Sequence, residues 1–171
     1  VGDARTYDAL VFPSTLKSVG ESAFSSIRTL KEVRLNEGLE TIGKEAFRNC
    51  GITSAITIPS TLQSLGVNAF NESNQVSAYV SNSASFSVED GMLLDAGKTR
   101  LYGYAAGSAL TRIATPATLK SIDAYGFSSA KKLQALTLND GLKAIGEYAF
   151  ESCTSIATLS LPESATNLGN R

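Results

Sequence analysis

The sequence predicts a solenoid: a curved, right-handed stack of near-identical coils, mainly short parallel β-strands with short helical or 3-10 turns, carrying one β-hairpin insertion. Three observations predict it. The Ala-Phe dipeptide ends at Phe24, Phe47 and Phe70, each step being 23 residues, and Phe127 and Phe150 repeat that step. Apolar pairs two residues apart recur in the same phase. Residues 12–57 also match 115–160 at a shift of 103 residues, including Leu16/Leu119, Phe47/Phe150 and Cys50/Cys153. A fixed period of this length marks stacked units, because a lone unit cannot bury its own apolar face.

Cut on that period, a single domain spanning 1–171 contains coils 12–34, 35–57, 58–80, 115–137 and 138–160, a half coil 161–171, and an insertion 81–114. The pairs Val33/Leu35, Ile56/Ile58, Leu136/Leu138 and Leu159/Leu161 have the period of a strand with one buried face, and stacking aligns these strands into a parallel sheet. A corner follows. Pro13, Pro59 and Pro116 fix φ there, whereas Gly38 and Gly141 permit φ > 0 where Asn replaces Pro. After it come the apolar pairs Leu16/Val19, Leu39/Ile42, Leu62/Leu65, Leu119/Ile122 and Leu142/Ile145. The Phe column then supplies one ring per coil, following Gly20, Gly43, Gly66 and Gly146 in a short turn or single helical turn. In the insertion, Met92-Leu93-Leu94, the turn Asp95-Ala96-Gly97-Lys98 and the return Arg100 to Tyr104 read as a hairpin.

Composition narrows the chemistry. The 171 residues are 43% hydrophobic and 18% charged, and 15 Lys+Arg against 16 Asp+Glu leave a net charge of -1. No basic field exists to attract phosphates, so nucleic acid is not an expected partner. No apolar run reaches the roughly 18–20 residues of a spanning helix, so membrane insertion by this chain is not expected either. Val1-Gly2-Asp3-Ala4-Arg5 has neither the basic nor the apolar part of a signal peptide, which fits a cytosolic parent or a leader already removed. The chain has no His. That removes Ser-His-Asp and Cys-His pairs and His-bound zinc. Catalysis by two carboxylates across a cleft would remain, but nothing in the pattern places such a pair. We expect no enzyme and no cofactor.

The pattern Pro-x-Thr-Leu-x-Ser-Ile-Gly-x-x-Ala-Phe-x-x-Cys resembles the BspA-type leucine-rich repeats of bacterial surface proteins, over about residues 12–169. The segment Phe86 to Gly107 is similar to the β-hairpin insertion of many members. Ala105 stands where Pro is common, and Asp123 and Gly126 depart from the usual Gly and Ala of the turn. The resemblance implies a curved leucine-rich-repeat solenoid with parallel sheets and little helix, located at the cell surface or secreted and often adhesive. On this basis the expected function is a non-catalytic binding or adhesion scaffold contacting a protein or glycan. The alternative is a structural spacer within a longer surface protein, with no ligand of its own.

Candidate residues carry two readings each. Cys50 and Cys153 occupy one column as small buried groups; three coil steps at about 4.8 Å place them roughly 14 Å apart, beyond the ~7 Å limit for a disulfide, so both are expected to be free, inaccessible thiols. Glu89, Asp90 and Asp95 around Gly91 read as a solvated turn, since their spacing fits no calcium loop. The outward columns of the strand sheet, Glu32, Ala55, Ala78, Ala135 and Thr158 beside Arg34, Thr57, Val80, Thr137 and Ser160, are small and mostly uncharged. Tyr125 and Tyr148 hold equivalent positions in consecutive coils and serve either as contact residues or as packing. Tyr102 and Tyr104 share one face of the return strand, opposite Leu101: they are outward anchors if Leu101 is buried, and the hairpin is only a lid if they pack inward. Leu161 and Leu168 are left without a cap, which predicts a longer parent or end-to-end self-association.

Overall fold

The computed structural model describes residues 7–73 and 75–170. Val1 to Arg5, and Arg171 at the end of the half coil, lie outside the described residues. β1 (Ala9–Val11) precedes Phe12, and the first three coils contribute β2 (Ser18–Val19), β3 (Glu32–Arg34), β4 (Thr41–Ile42), β5 (Ile56–Ile58), β6 (Ser64–Leu65) and β7 (Tyr79–Ser81). The insertion holds β8 (Phe86–Glu89), β9 (Met92–Asp95) and β10 (Arg100–Tyr104), and β11 (Arg112–Ala114) leads from it into the fourth coil. The remaining coils give β12 (Ser121–Ile122), β13 (Ala135–Thr137), β14 (Ala144–Ile145) and β15 (Asn167–Leu168). Each coil therefore passes through a front strand, a side strand at the Pro or Asn corner, and the Phe turn.

The side strands stack in parallel as predicted, Ser18 beside Thr41 beside Ser64, and Ser121 beside Ala144 beside Asn167. The front strands do not form the single sheet expected from the sequence. They pair two by two, β1 with β3, β5 with β7 and β11 with β13. The first break has a local cause. Leu30 and Ile52 are both fully buried, yet Leu30 lies three residues before Val33 and Ile52 four before Ile56. The surplus residue shifts the bonding: the Asp8 carbonyl accepts from Lys31 and Glu32 N–H, whereas the Lys31 carbonyl accepts from Thr53 and Ser54, one residue earlier in the coil. Leu159 and Leu161 form no strand either, and Leu161 is exposed.

The expected helical or 3-10 turns are absent among the described residues. Every Phe turn instead carries two left-handed residues four apart, Ser22/Ser26, Glu45/Asn49, Asn68/Glu72, Tyr125/Ser129 and Tyr148/Ser152. A left-handed residue ends any right-handed helical run, so the N–H groups that a helix would use internally point along the stack. Phe24, Phe47 and Phe127 N–H donate to the carbonyls of Ala46, Ala69 and Ala149 in the next coil. The rings follow: Phe24, Phe47 and Phe70 stack with centroids 5.5 and 5.3 Å apart, nearly parallel.

Glycines at one repeated position hold the coils at this spacing. A Cβ on Gly43, Gly66 or Gly146 would lie 2.6, 2.3 or 2.3 Å from a backbone nitrogen of the preceding coil, so these glycines serve close approach and not unusual φ. Gly38 has φ of 107°, as expected at its corner; Gly141 is not in the positive-φ region, so that expectation fails at its corner. There the Asn side chain does the work. Asn139 Nδ2 donates to the Leu119 carbonyl, as Asn36 Nδ2 does to Leu16. Thr61, Ser83 and Ser164 hydroxyls bond the equivalent carbonyls of Leu39, Leu62 and Leu142. One polar side chain per corner thus satisfies a carbonyl that would otherwise be left unpaired in a half-buried bend.

The expected hairpin forms, β9 pairing antiparallel with β10, and β8 adds a third strand to make an antiparallel meander. Its last strand, β10, takes the place of a side strand and pairs in parallel with β12, Leu101 beside Ile122. This explains the departure at Asp123. The preceding chain is β10, so the column needs no glycine, and Asp123 instead receives Arg100 through two bonds of 2.8 and 2.9 Å.

Candidate contact surface

The four tyrosines singled out in the sequence fall into two environments. Leu101 is fully buried and Tyr104 buried in one core, a register irregularity between Leu101 and Gly103 bringing both to the same side, while Tyr102 is half-buried against the other core. The outward-anchor reading of Tyr102 and Tyr104 is thereby corrected. Tyr104 takes the place of a ladder phenylalanine, 5.5 Å from Phe127. Tyr102 meets Phe86 edge-on at 5.5 Å and carries Arg100 over its ring at 4.6 Å. Burial raises the pKa of both phenols.

Tyr125 and Tyr148 are brought together at the surface of the Phe turn. Their rings stack at 5.1 Å and 13°, and Tyr148 is 37% exposed. Both have left-handed backbone, φ 57° and 53°, a region costly for a bulky side chain, where other coils place Ser, Glu or Asn. The guanidinium of Arg48 lies 5.4 Å from the Tyr125 centroid. It is aimed by two 3.0 Å bonds to Glu72, which raise its pKa further, and Glu45 stands 3.6 Å from its other side. Sequence reading missed Arg48, since the period puts it in the second coil and Tyr125 in the fourth. The insertion has no Phe turn of its own, so the third and fourth turns are neighbours, joined by Asn71 Nδ2 to the Ala124 carbonyl at 2.6 Å.

The other candidates are occupied by the fold. Asp95 accepts from Thr99 N–H and hydroxyl and from Arg100 N–H, and Glu89 pairs with Lys98. No group of three or more metal-ligating side chains occurs among the described residues. Both cysteines are free, each thiol donating to a Phe carbonyl one coil back: Cys50 to Phe24 and Cys153 to Phe127, both at 3.1 Å. Cys50 is buried, but Cys153 is only half-buried, so the expected inaccessibility holds for the first alone. The front face presents the columns expected, Arg34, Thr57, Val80 and Thr137, extended by exposed Val11 and Ala114. At the C-terminal end, Tyr148, Phe150, Leu159, Leu161 and Leu168 border an open cavity of about 740 Å³. No helix among the described residues is long and apolar enough to cross a membrane.

Comparison with known proteins agrees with this geometry. A model of the BspA type leucine rich repeat region matches six copies over residues 4–96 and 100–171. No curated protein sequence is similar enough to count as a match. The chain is similar to the solved structure of the Pneumococcal vaccine antigen PcpA, with a TM-score of 0.87 and 28% identity over 94% of this chain and 46% of that one. It is also similar to a leucine rich cell surface protein from Faecalibacterium prausnitzii, TM-score 0.84 and 24% identity, covering 94% and 49%. A leucine-rich repeat protein from Eubacterium ventriosum gives 0.80 and 22%, again over 94% and 49%. The last two show the fold alone. The chain spans about half the length of each.

Proposed function

We propose, from the premise that this chain belongs to the BspA-type leucine-rich repeat family, that it is a non-catalytic scaffold of a cell-surface or secreted protein, binding a protein or glycan through its Phe-turn edge. The observation that carries this reading is the Tyr125–Tyr148 stack, with Tyr148 exposed and Arg48 on the half-buried ring of Tyr125. Rigid aromatic rings with polar tips lose little conformational entropy on binding, and Arg beside Tyr is the composition of contact centres. The family itself and the similar structure described as a vaccine antigen support the location. The front sheet is a poorer candidate because its outward side chains are small.

The test is to screen the full chain against arrays of extracellular-matrix proteins and glycans, then to repeat any interaction with Tyr148→Ser and Arg48→Ala variants. Binding that falls about tenfold or more in both, as expected for residues at the centre of a contact, supports the reading. Binding unchanged in both removes the Phe-turn edge. No interaction on any array favours the spacer.

A further inference from the structure

We propose that the β8–β10 meander is an internal cap, dividing the solenoid into two cooperative units that meet at a compliant joint. All three vertical columns stop at the same level of the stack. The front sheet ends at β7 and resumes at β11 with no ladder between them, and the side sheet ends at β6 while a second begins at β8. The ring stack closes on Tyr79, tilted 52° against Phe70, and a separate one starts at Tyr104 and continues through Phe127 and Phe150. The earlier break between β3 and β5 is of another kind. There the β4–β6 ladder and the Phe47–Phe70 stack both cross it.

The apolar side chains divide within the meander. One core runs from Phe12 through Phe47 and Ile56 to Tyr79 and takes in Phe86, Leu93 and Ala105, and a second runs from Met92 through Leu101 and Phe127 to Ala149. β9 lies between them with both faces buried: Leu93 belongs to the first core, Met92 and Leu94 to the second. A strand that offers each core an apolar face and ends its ladders does what a terminal repeat does at the end of an array. Among the described residues, polar links across the joint are few. They include Gly107 N–H to the Val76 carbonyl at 2.9 Å, Asn71 Nδ2 to Ala124 and the Ser81 hydroxyl to the Phe86 carbonyl. Within a unit, by contrast, each coil is tied to the next along the side strand, the Phe turn or both.

Hydrogen exchange of the full chain in graded urea, read by mass spectrometry, tests this, with Leu93→Ala and Leu94→Ala compared against the unaltered chain. Two units predict that amides in 32–81 and in 112–168 lose protection at separate urea midpoints. Leu94→Ala should speed exchange around Ile122, Phe127 and Ile145 by at least about tenfold, with less than about twofold change around Ile42, Phe47 and Ile56, and Leu93→Ala should do the reverse. A single midpoint for both segments, with both variants accelerating both alike, would overturn the proposal. If either variant fails to fold, the midpoints of the unaltered chain decide.

Discussion

Phe47 shows how one side chain holds the stack. It is fully buried, its ring lies parallel to those of Phe24 and Phe70, and its N–H bonds to the Ala69 carbonyl in the next coil. Apolar burial and backbone bonding therefore act along the same axis. Asp95 shows the polar counterpart in the meander. Burial pushes its pKa up, but the bonds from Thr99 and Arg100 outweigh that, and the folded value is lowered. A lowered folded pKa means a stabilisation that is complete above the unfolded Asp value, about 3.9, and lost as pH falls through the folded one. Exchange of the Thr99 and Arg100 amides should therefore accelerate, beyond the intrinsic pH effect, as pH drops from about 4.5 to 2.5. An Asp95→Asn chain should show no such added acceleration.

At the scale of the element, the glycine column separates what stacking requires from what repetition merely copies. Gly66 and Gly20 hold equivalent positions, yet a Cβ on Gly66 would lie 2.3 Å from Lys44 N, while one on Gly20 meets nothing within 4 Å among the described residues. Backbone cannot give way as a flexible side chain does. Gly66→Ala is expected to cost on the order of 1–3 kcal/mol and Gly20→Ala close to nothing, measured by urea unfolding. Equal costs would mean that the coils do not approach as described. The same column shows what was legible in the sequence. Side strands, corners and the Phe ladder follow from periodicity because each repeated apolar residue has one buried role. The non-helical turn was not legible: its left-handed residues are Ser, Glu, Asn and Tyr, none of which announces positive φ as glycine does. Nor was the broken front sheet, which depends on a one-residue surplus between Ile52 and Ile56 that the constant 23-residue spacing of the Phe column conceals.

For the whole molecule, the meander was the least predictable part and has the largest consequence. Alternation along β10 offered Leu101 or the tyrosines as the buried side; a strand packed between two cores buries on both faces, so the alternatives did not exclude one another. Removing the meander's turn from the Phe column also brought Arg48 within reach of Tyr125. Of the candidate contact residues, Tyr148 is exposed, Tyr125 and Tyr102 are half-buried and Tyr104 is buried. The central claim is that the repeated positions are committed to stacking while the Tyr125–Tyr148 pair is not. Urea unfolding of a Tyr125→Ser/Tyr148→Ser chain beside Phe127→Ala tests it without knowledge of any ligand. Phe127, fully buried in the same coil, should cost about 3–5 kcal/mol, and the double tyrosine change about 1 kcal/mol or less, the worth of one aromatic pair. A loss in the double variant as large as that of Phe127→Ala would contradict the claim and make the pair part of the packing.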